Sequence, residues 1–188
     1  ETSDLASLTT SQILAITPKN IGALKTQEII ALRTDQVLAL NANQLKALTS
    51  TQLSSFEVED IQALSTSQML SLSGQQLNFF STEQVSSLLT SQLAALTPSQ
   101  ISTLNTVKLN SLTTTQFQAL TALQIASMSA LQVSNLETAD LLSLSSSQLR
   151  AISVKGIGAL RAEEVTALTT QWISSLSNAQ MPGLSSTN

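Results

Sequence analysis

The stretch Leu-Thr-Thr-Ser-Gln-Ile-Leu-Ala-Ile at residues 8–16 contains the pattern that decides the fold. A large apolar residue recurs every eight positions in two columns, one beginning at Leu5 and the other at Leu8. Each column holds 23 residues, and all of them are apolar. A fixed period that runs along the chain is the signature of a repeat architecture. We therefore divide the sequence into octads that start at residue 1, and we number the positions of each octad from 1 to 8.

The polar positions of the octad predict where a helix begins. Position 1 is Ser, Thr or Asn in 17 of 24 octads, and position 4 is Gln in 14 of 24. A capping residue followed three residues later by Gln forms a capping box, in which each side chain bonds the other residue's backbone N–H. Pro18 and Pro98 lie at position 2, which would be the first helical residue, where proline is tolerated. Each octad therefore predicts one helix that starts at position 2.

Two simpler structures conflict with a period of eight. In one continuous α-helix, at about 100° per residue, the apolar stripe would drift by about 80° per octad, so no partner could follow it. In a β-strand, positions 5 and 8 would point to opposite faces. A β-solenoid stays open as an alternative, because Ile and Val favour strands.

The predicted fold is all-α: a superhelical α-solenoid of short capped helices, one per octad. Isolated helices shorter than roughly 12–15 residues are marginal in water, so packing between octads must stabilise these. The small residue at position 7, which is Ala, Ser or Gly in 20 of 23 octads, lets successive helices approach closely. We expect a single repeat domain over residues 1–188, with 23 octads and four further residues, that is a fragment of a longer array.

The composition excludes most catalytic chemistry. The chain has no His, Cys or Tyr, so a Ser-His pair, a Cys nucleophile and a His or Cys metal site cannot be built. We therefore expect no enzymatic activity, no cofactor and no metal. The net charge of −4 argues against a nucleic-acid partner. The longest apolar runs are four residues, as at 13–16, far short of the ~20 that a membrane-spanning helix needs.

Acidic octads recur at distant points of the sequence. Residues 1–12 return with substitutions at 137–148, and a related unit begins at Glu57. Duplication in blocks of octads explains this similarity. The alternative is a calcium or partner site formed by Glu at position 1 and Asp at position 4, although acids at a helix N-terminus are also favoured without a ligand.

Three residues depart from the octad pattern and are candidate contacts for a partner. Trp172 replaces the capping Gln at position 4, while Leu123 and Leu131 lie at position 3, where Ser, Glu or Gln is usual. For Trp172 the alternative is an indole that covers a neighbouring turn. Pro182 at position 6, next to Gly183, predicts a distortion of the last full octad.

The string Leu-Thr-Thr-Ser-Gln-Ile-x-Ala-Leu, found with a final Ile at 8–16 and echoed at 112–120, resembles the octapeptide-repeat regions of very large bacterial surface or secreted proteins of adhesin type. The resemblance implies an extracellular or cell-surface segment and carries over no site residues. We expect a non-enzymatic spacer or stalk whose partners are other segments of the same larger protein, or a protein or cell-surface partner. A protein-binding superhelical scaffold stays open as the alternative, as does a hydroxyl array that binds ice or glycans.

Overall fold

The structure is a computed structural model that describes residues 2–184. Glu1 and the four residues predicted to follow the last full octad, Ser185 to Asn188, lie outside the described residues. Within residues 2–184 the chain forms 23 short α-helices and no strand. The helices are α1 Thr2–Ser7, α2 Thr10–Ala15, α3 Pro18–Gly22, α4 Thr26–Ile30, α5 Thr34–Leu38, α6 Ala42–Ala47, α7 Ser50–Ser54, α8 Val58–Ala63, α9 Thr66–Ser71, α10 Gly74–Leu77, α11 Thr82–Ser86, α12 Thr90–Ala95, α13 Pro98–Thr103, α14 Thr106–Leu109, α15 Thr114–Ala119, α16 Ala122–Ala126, α17 Ala130–Ser134, α18 Thr138–Ser143, α19 Ser146–Ala151, α20 Val154–Ile157, α21 Ala162–Ala167, α22 Thr170–Ser175 and α23 Met181–Leu184.

The register of the helices follows the octad. Helices α1 to α22 all begin at position 2 and end at position 5, 6 or 7, which confirms one short helix per octad. Positions 8 and 1 connect consecutive helices in extended conformation, as at Leu48 (φ −64°, ψ 133°) and Thr49 (φ −77°, ψ 167°). Since residues 2–184 contain no strand, the β-solenoid alternative is wrong.

The last octad departs from this register, as Pro182 predicts. Its helix, α23, begins at Met181, which is position 5. Pro182 is then the second helical residue, where the missing N–H would have had no partner inside the helix. The proline therefore fits the structure because the helix starts three residues late.

Capping boxes close the N-terminal ends of most helices. In α7 the Thr49 hydroxyl accepts the Gln52 N–H (3.3 Å), and Gln52 Oε1 accepts the Thr49 N–H (2.8 Å). Where position 1 carries no capping side chain, half of the box survives: Gln92 Oε1 accepts the Leu89 N–H at 2.9 Å. Position 4 therefore caps the helix even when position 1 cannot, because the glutamine bond needs only the backbone of its partner.

The helices pack in two compact units, Glu1–Leu96 and Thr97–Asn188. Inside each unit a helix packs against the helix three octads further along, as α3 does against α6 and α16 against α19. Each unit is thus a solenoid, and helices that pack against each other from one turn to the next are three octads apart in the sequence. The described residues include no helix that is long and apolar enough to cross a membrane.

The two apolar columns form the core of both units. Every buried apolar residue of the described chain belongs to position 5 or position 8, with the single exception of Trp172. Side chains in the middle of the columns are fully enclosed, and Phe80 and Phe117 are the largest of them. Burying a large apolar side chain contributes roughly 1.5–3 kcal/mol, so these columns supply the packing energy that helices of four to six residues lack.

Gly22 lies at a close approach between two helices of the first unit. A Cβ atom at Gly22 would lie 2.7 Å from the carbonyl oxygen of Ala47, which belongs to α6. The backbone oxygen cannot rotate away, so α3 and α6 must separate if residue 22 carries a side chain.

We expect Gly22→Ala to lower the free energy of unfolding. Overpacking costs about 1–3 kcal/mol, and the better helix propensity of Ala offsets about 1 kcal/mol of it. Ser54→Ala is the matched control, because Ser54 lies at the same octad position and already carries a Cβ. Thermal unfolding followed by circular dichroism measures both variants. An unchanged midpoint for Gly22→Ala would contradict the contact.

Candidate functional site

The side chain at position 4 joins the turns of the solenoid. While Oε1 of each glutamine caps its own helix, Nε2 donates to two carbonyls of the octad four repeats earlier. Gln44 shows the arrangement: its Nε2 lies 2.8 Å from the oxygens of both Ile13 and Ile16, and its Oε1 lies 2.9 Å from the Asn41 nitrogen. One amide group therefore bonds the start of one helix and the end of another.

We call this set of bonds the glutamine ladder. Its acceptors always lie 31 and 28 residues before the glutamine, at positions 5 and 8. In the first unit the ladder glutamines are Gln36, Gln44, Gln52, Gln68, Gln76, Gln84 and Gln92. In the second unit they include Gln132, Gln148 and Gln180. Each helix packs against the helix three octads earlier, and its ladder glutamine bonds carbonyls four octads earlier. A full turn of the solenoid therefore takes between three and four octads.

The ladder accounts for backbone groups that short helices leave without partners. A helix has unpaired N–H groups at its start and unpaired carbonyls at its end, and in helices of four to six residues these groups are most of the backbone. The ladder glutamines are 9% exposed or less, so water does not replace their bonds. A buried polar group without a partner costs about 1–3 kcal/mol, and each ladder glutamine satisfies several such groups.

The sequence predicted only half of this role. It identified Gln as the acceptor of a capping box, but either Glu or Gln serves that purpose. Position 4 holds Gln in 14 octads and Glu in only two, Glu28 and Glu164. A carboxylate has no hydrogen to donate, so this preference is the signal that a donor is needed at position 4.

Glu164 shows how the second unit accommodates a carboxylate in a ladder position. The side chain is fully buried, and its oxygens accept the Arg161 backbone N–H (2.7 Å) and the Arg161 guanidinium Nη2–H (2.7 Å). The hydrogen bond that the Arg161 guanidinium donates to Glu164 raises the pKa of the guanidinium. Arg161, which takes the N-cap position, thus supplies the positive charge that a buried carboxylate requires.

Two aspartates also take the ladder position. Asp60 and Asp140 are 5% and 4% exposed, and each accepts a hydrogen bond from a threonine hydroxyl of an earlier octad, Thr34 and Thr114 respectively. Burial raises the pKa of both carboxyl groups. These acids are therefore parts of the packed interior. The described residues contain no group of three or more acidic, His or Cys residues that could hold a metal ion.

Trp172 lies inside the second unit. It is 3% exposed, and its indole Nε1 donates to the oxygen of Leu141 at 3.3 Å. Leu141 lies 31 residues earlier, so the indole replaces the amide of a ladder glutamine. The structure thus agrees with the alternative that Trp172 covers a neighbouring turn. A side chain buried to this degree presents little surface to a partner, and the role of Trp172 as a partner contact stays a prediction.

Leu123 and Leu131 lie on the surface of the second unit. They are 73% and 67% exposed, the two highest values among the large apolar residues of the described chain. Val107, also at position 3, is 63% exposed and lies on α14, the helix that packs against the α17 of Leu131. The sequence prediction that these leucines contact a partner stays a prediction, now with a third apolar residue nearby.

A partly open cavity lies beside Trp172 in the second unit. This cavity of about 310 Å³ is lined by hydroxyl and amide groups, which include Ser145, Ser146 and Ser175. The Ser146 and Ser175 hydroxyls bond each other at 3.0 Å, and Ser145 bonds Ser147 and Gln148. The serine hydroxyls of the lining are therefore bonded within the repeat.

The geometry defines a class: an all-α repeat structure in which eight residues form each unit and a buried amide joins the units. Residues 133–170, about a fifth of the chain, match the family model described as the ALTTAQ repeat. Five of the six letters of that motif, all except its second Ala, match residue types that are common here at positions 7, 8, 1, 2 and 4. They cover the end of one octad and the capping box with the ladder glutamine of the next. A search of curated proteins gave no match.

We expect Gln44→Met to lower the free energy of unfolding by about 1–3 kcal/mol for each buried polar group that loses its partner. Methionine keeps the volume but neither accepts the Asn41 N–H nor donates to Ile13 and Ile16. Because 1 kcal/mol moves the midpoint of a chain this size by about 2–4 °C, thermal unfolding resolves the loss.

Gln12→Met is the matched control for the ladder. Gln12 forms the same capping box with Thr9, at 2.8 Å, but its side chain is exposed. We expect its substitution to cost only what an exposed cap is worth, about 1 kcal/mol. Equal losses for Gln12→Met and Gln44→Met would show that the bonds to the fourth octad contribute nothing.

Proposed function

We propose that this chain is a structural repeat segment, a spacer or stalk, of a larger bacterial surface or secreted protein of adhesin type. The observation that supports this proposal is the uniformity of the glutamine ladder. The same amide makes the same bonds at 28 and 31 residues in octad after octad, so length can change by whole octads without a new interface. Solenoids built from such nearest-neighbour contacts are stabilised additively.

The proposed role needs no reactive group. The hydroxyls and amides at positions 1 and 4 are used within the backbone caps, and His, Cys and Tyr are absent from the sequence. We therefore propose a non-enzymatic protein with no cofactor and no nucleic-acid partner. The extracellular or cell-surface location belongs to the same proposal and rests on the resemblance of the octapeptide to surface-protein repeats.

Octad deletion tests the spacer. We expect deletion of residues 65–72, one whole octad, to leave a folded protein whose maximum dimension in small-angle scattering is reduced by a fixed increment. Deletion of 65–80 should reduce it by twice that increment. Each deletion keeps every remaining octad in register, so the ladder can form again between other pairs of octads.

The control deletes residues 65–68, half an octad, which removes fewer residues but shifts positions 4, 5 and 8 out of register. We expect this variant to lose helical circular dichroism and cooperative unfolding, although it is longer than the whole-octad variants. If the half-octad and whole-octad deletions were equally well folded, the repeat would not set the length and the spacer proposal would fail.

The exposed residues Val107, Leu123 and Leu131 favour a second candidate, a scaffold that binds a protein partner through the second unit. A photo-crosslinking residue at position 123 or 131 should then capture one defined protein in the cells that make the chain. Ser99 and Ser147, which are exposed at the same octad position, are the matched control sites. Equal capture from all four sites would contradict the scaffold.

A further inference from the structure

The ladder is interrupted once in each unit by the same substitution. Asp60 in α8 and Asp140 in α18 occupy position 4 in place of Gln, and both follow a glutamate at position 1, Glu57 and Glu137. Both side chains are buried. The two octads lie 80 residues apart, a whole number of octads, and each unit thus contains one buried aspartate where other octads place a glutamine.

The ladder position offers hydrogen-bond acceptors to its side chain. In the octads with Gln, two carbonyls 31 and 28 residues earlier accept the amide hydrogens. For Asp60 the carbonyls at these spacings belong to Ile29 and Leu32, and for Asp140 to Leu109 and Leu112. An ionised carboxylate only accepts hydrogen bonds, whereas a protonated carboxyl group has one O–H to donate. The ionised aspartate is therefore the wrong partner for these carbonyls.

We propose that Asp60 and Asp140 are acid-strengthened joints of the solenoid: each carboxyl group takes up a proton from solvent and then donates that hydrogen to one ladder carbonyl of the fourth octad before it. The only chemical step is this proton uptake. The contact between turns at α8 and α18 becomes tighter as pH falls, in contrast to the glutamine octads, whose amides do not titrate. This property is additional to the spacer role and does not depend on it.

The charges around both aspartates favour protonation. Beside Asp60, burial is the largest cause of the raised pKa, and Glu57 and Glu59 on its own helix add to it, while bonds from Thr34 and the Glu57 N–H oppose it. The helices packed against α8 carry charge at α5, where Asp35 pairs with Arg33, and at α11, which holds Glu83.

Asp140 has a simpler environment. Burial raises its pKa, the Thr114 hydroxyl at 2.9 Å opposes the increase, and Glu137 adds to it. α15, which packs against α18, has no charged residue. Glu137 is the one charged group among the causes of the shift, and it favours the protonated form of Asp140.

The sign of the pH effect follows from linkage. The folded chain binds these two protons more tightly than the unfolded chain, whose aspartates have the ordinary pKa near 3.8. The ionised groups therefore reduce stability at pH values above the raised pKa, and this cost disappears as pH falls through it towards 3.8.

The test compares the wild-type chain with the variant Asp60→Asn, Asp140→Asn. Asparagine has the shape of a protonated aspartate and carries a permanent donor. We expect the midpoint of thermal unfolding at about pH 7 to rise by about 2–4 °C per site, and the difference from wild type to shrink by more than half at about pH 4. A difference that is zero at neutral pH, or the same at both pH values, would overturn the proposal.

Asp35→Asn is the control, because Asp35 is exposed and the hydrogen bond from Arg33 lowers its pKa. Its substitution should lower the midpoint at neutral pH, or leave it unchanged, and never raise it. A carboxyl ¹³C NMR titration of the wild-type chain is a second readout that needs no variant. Carboxyl groups of Asp60 and Asp140 that titrate at or below the ordinary value would also overturn the proposal.

Discussion

The bonds from the amide of each ladder glutamine hold the rest of the structure in place. A helix of four to six residues cannot satisfy its own backbone, and an apolar column alone would not fix which octads meet. The amide of Gln44 does both: Oε1 closes the start of α6, and Nε2 closes the end of α2. Burial of the apolar columns then stabilises the fold, and the ladder determines which octads pack against each other.

Much of this architecture can be predicted from the sequence, because the helix caps and the apolar columns are patterns within one octad. Position 1 with position 4 marks a helix start, and the columns at positions 5 and 8 mark the core, which the burial of Ile13 and Leu40 confirms. The partner of Gln44 lies 28 to 31 residues away, and no local pattern specifies that distance. The buried Trp172 was equally ambiguous, since an indole suits both an exposed contact and an interior donor.

Substitutions at position 4 show which property of glutamine the fold uses. Trp172 keeps a donor and loses the acceptor, so its octad retains a bond to Leu141. Glu164 keeps the acceptor and depends on Arg161 for charge. Asp60 and Asp140 keep an acceptor and depend on threonine hydroxyls. Volume and length vary widely among these residues, and in each case a hydrogen-bond partner, from the same helix cap or from an earlier octad, balances the change.

The spacing of the ladder also bears on how the chain folds. Its bonds connect residues 28 and 31 positions apart, so the carbonyl end of a helix is closed only when the octad four repeats later has packed against it. The smallest stable nucleus is therefore a group of consecutive octads and not a single helix. Once such a nucleus exists, each added octad closes a loop of the same length. Folding can therefore start at any point of a unit and propagate from octad to octad in both directions.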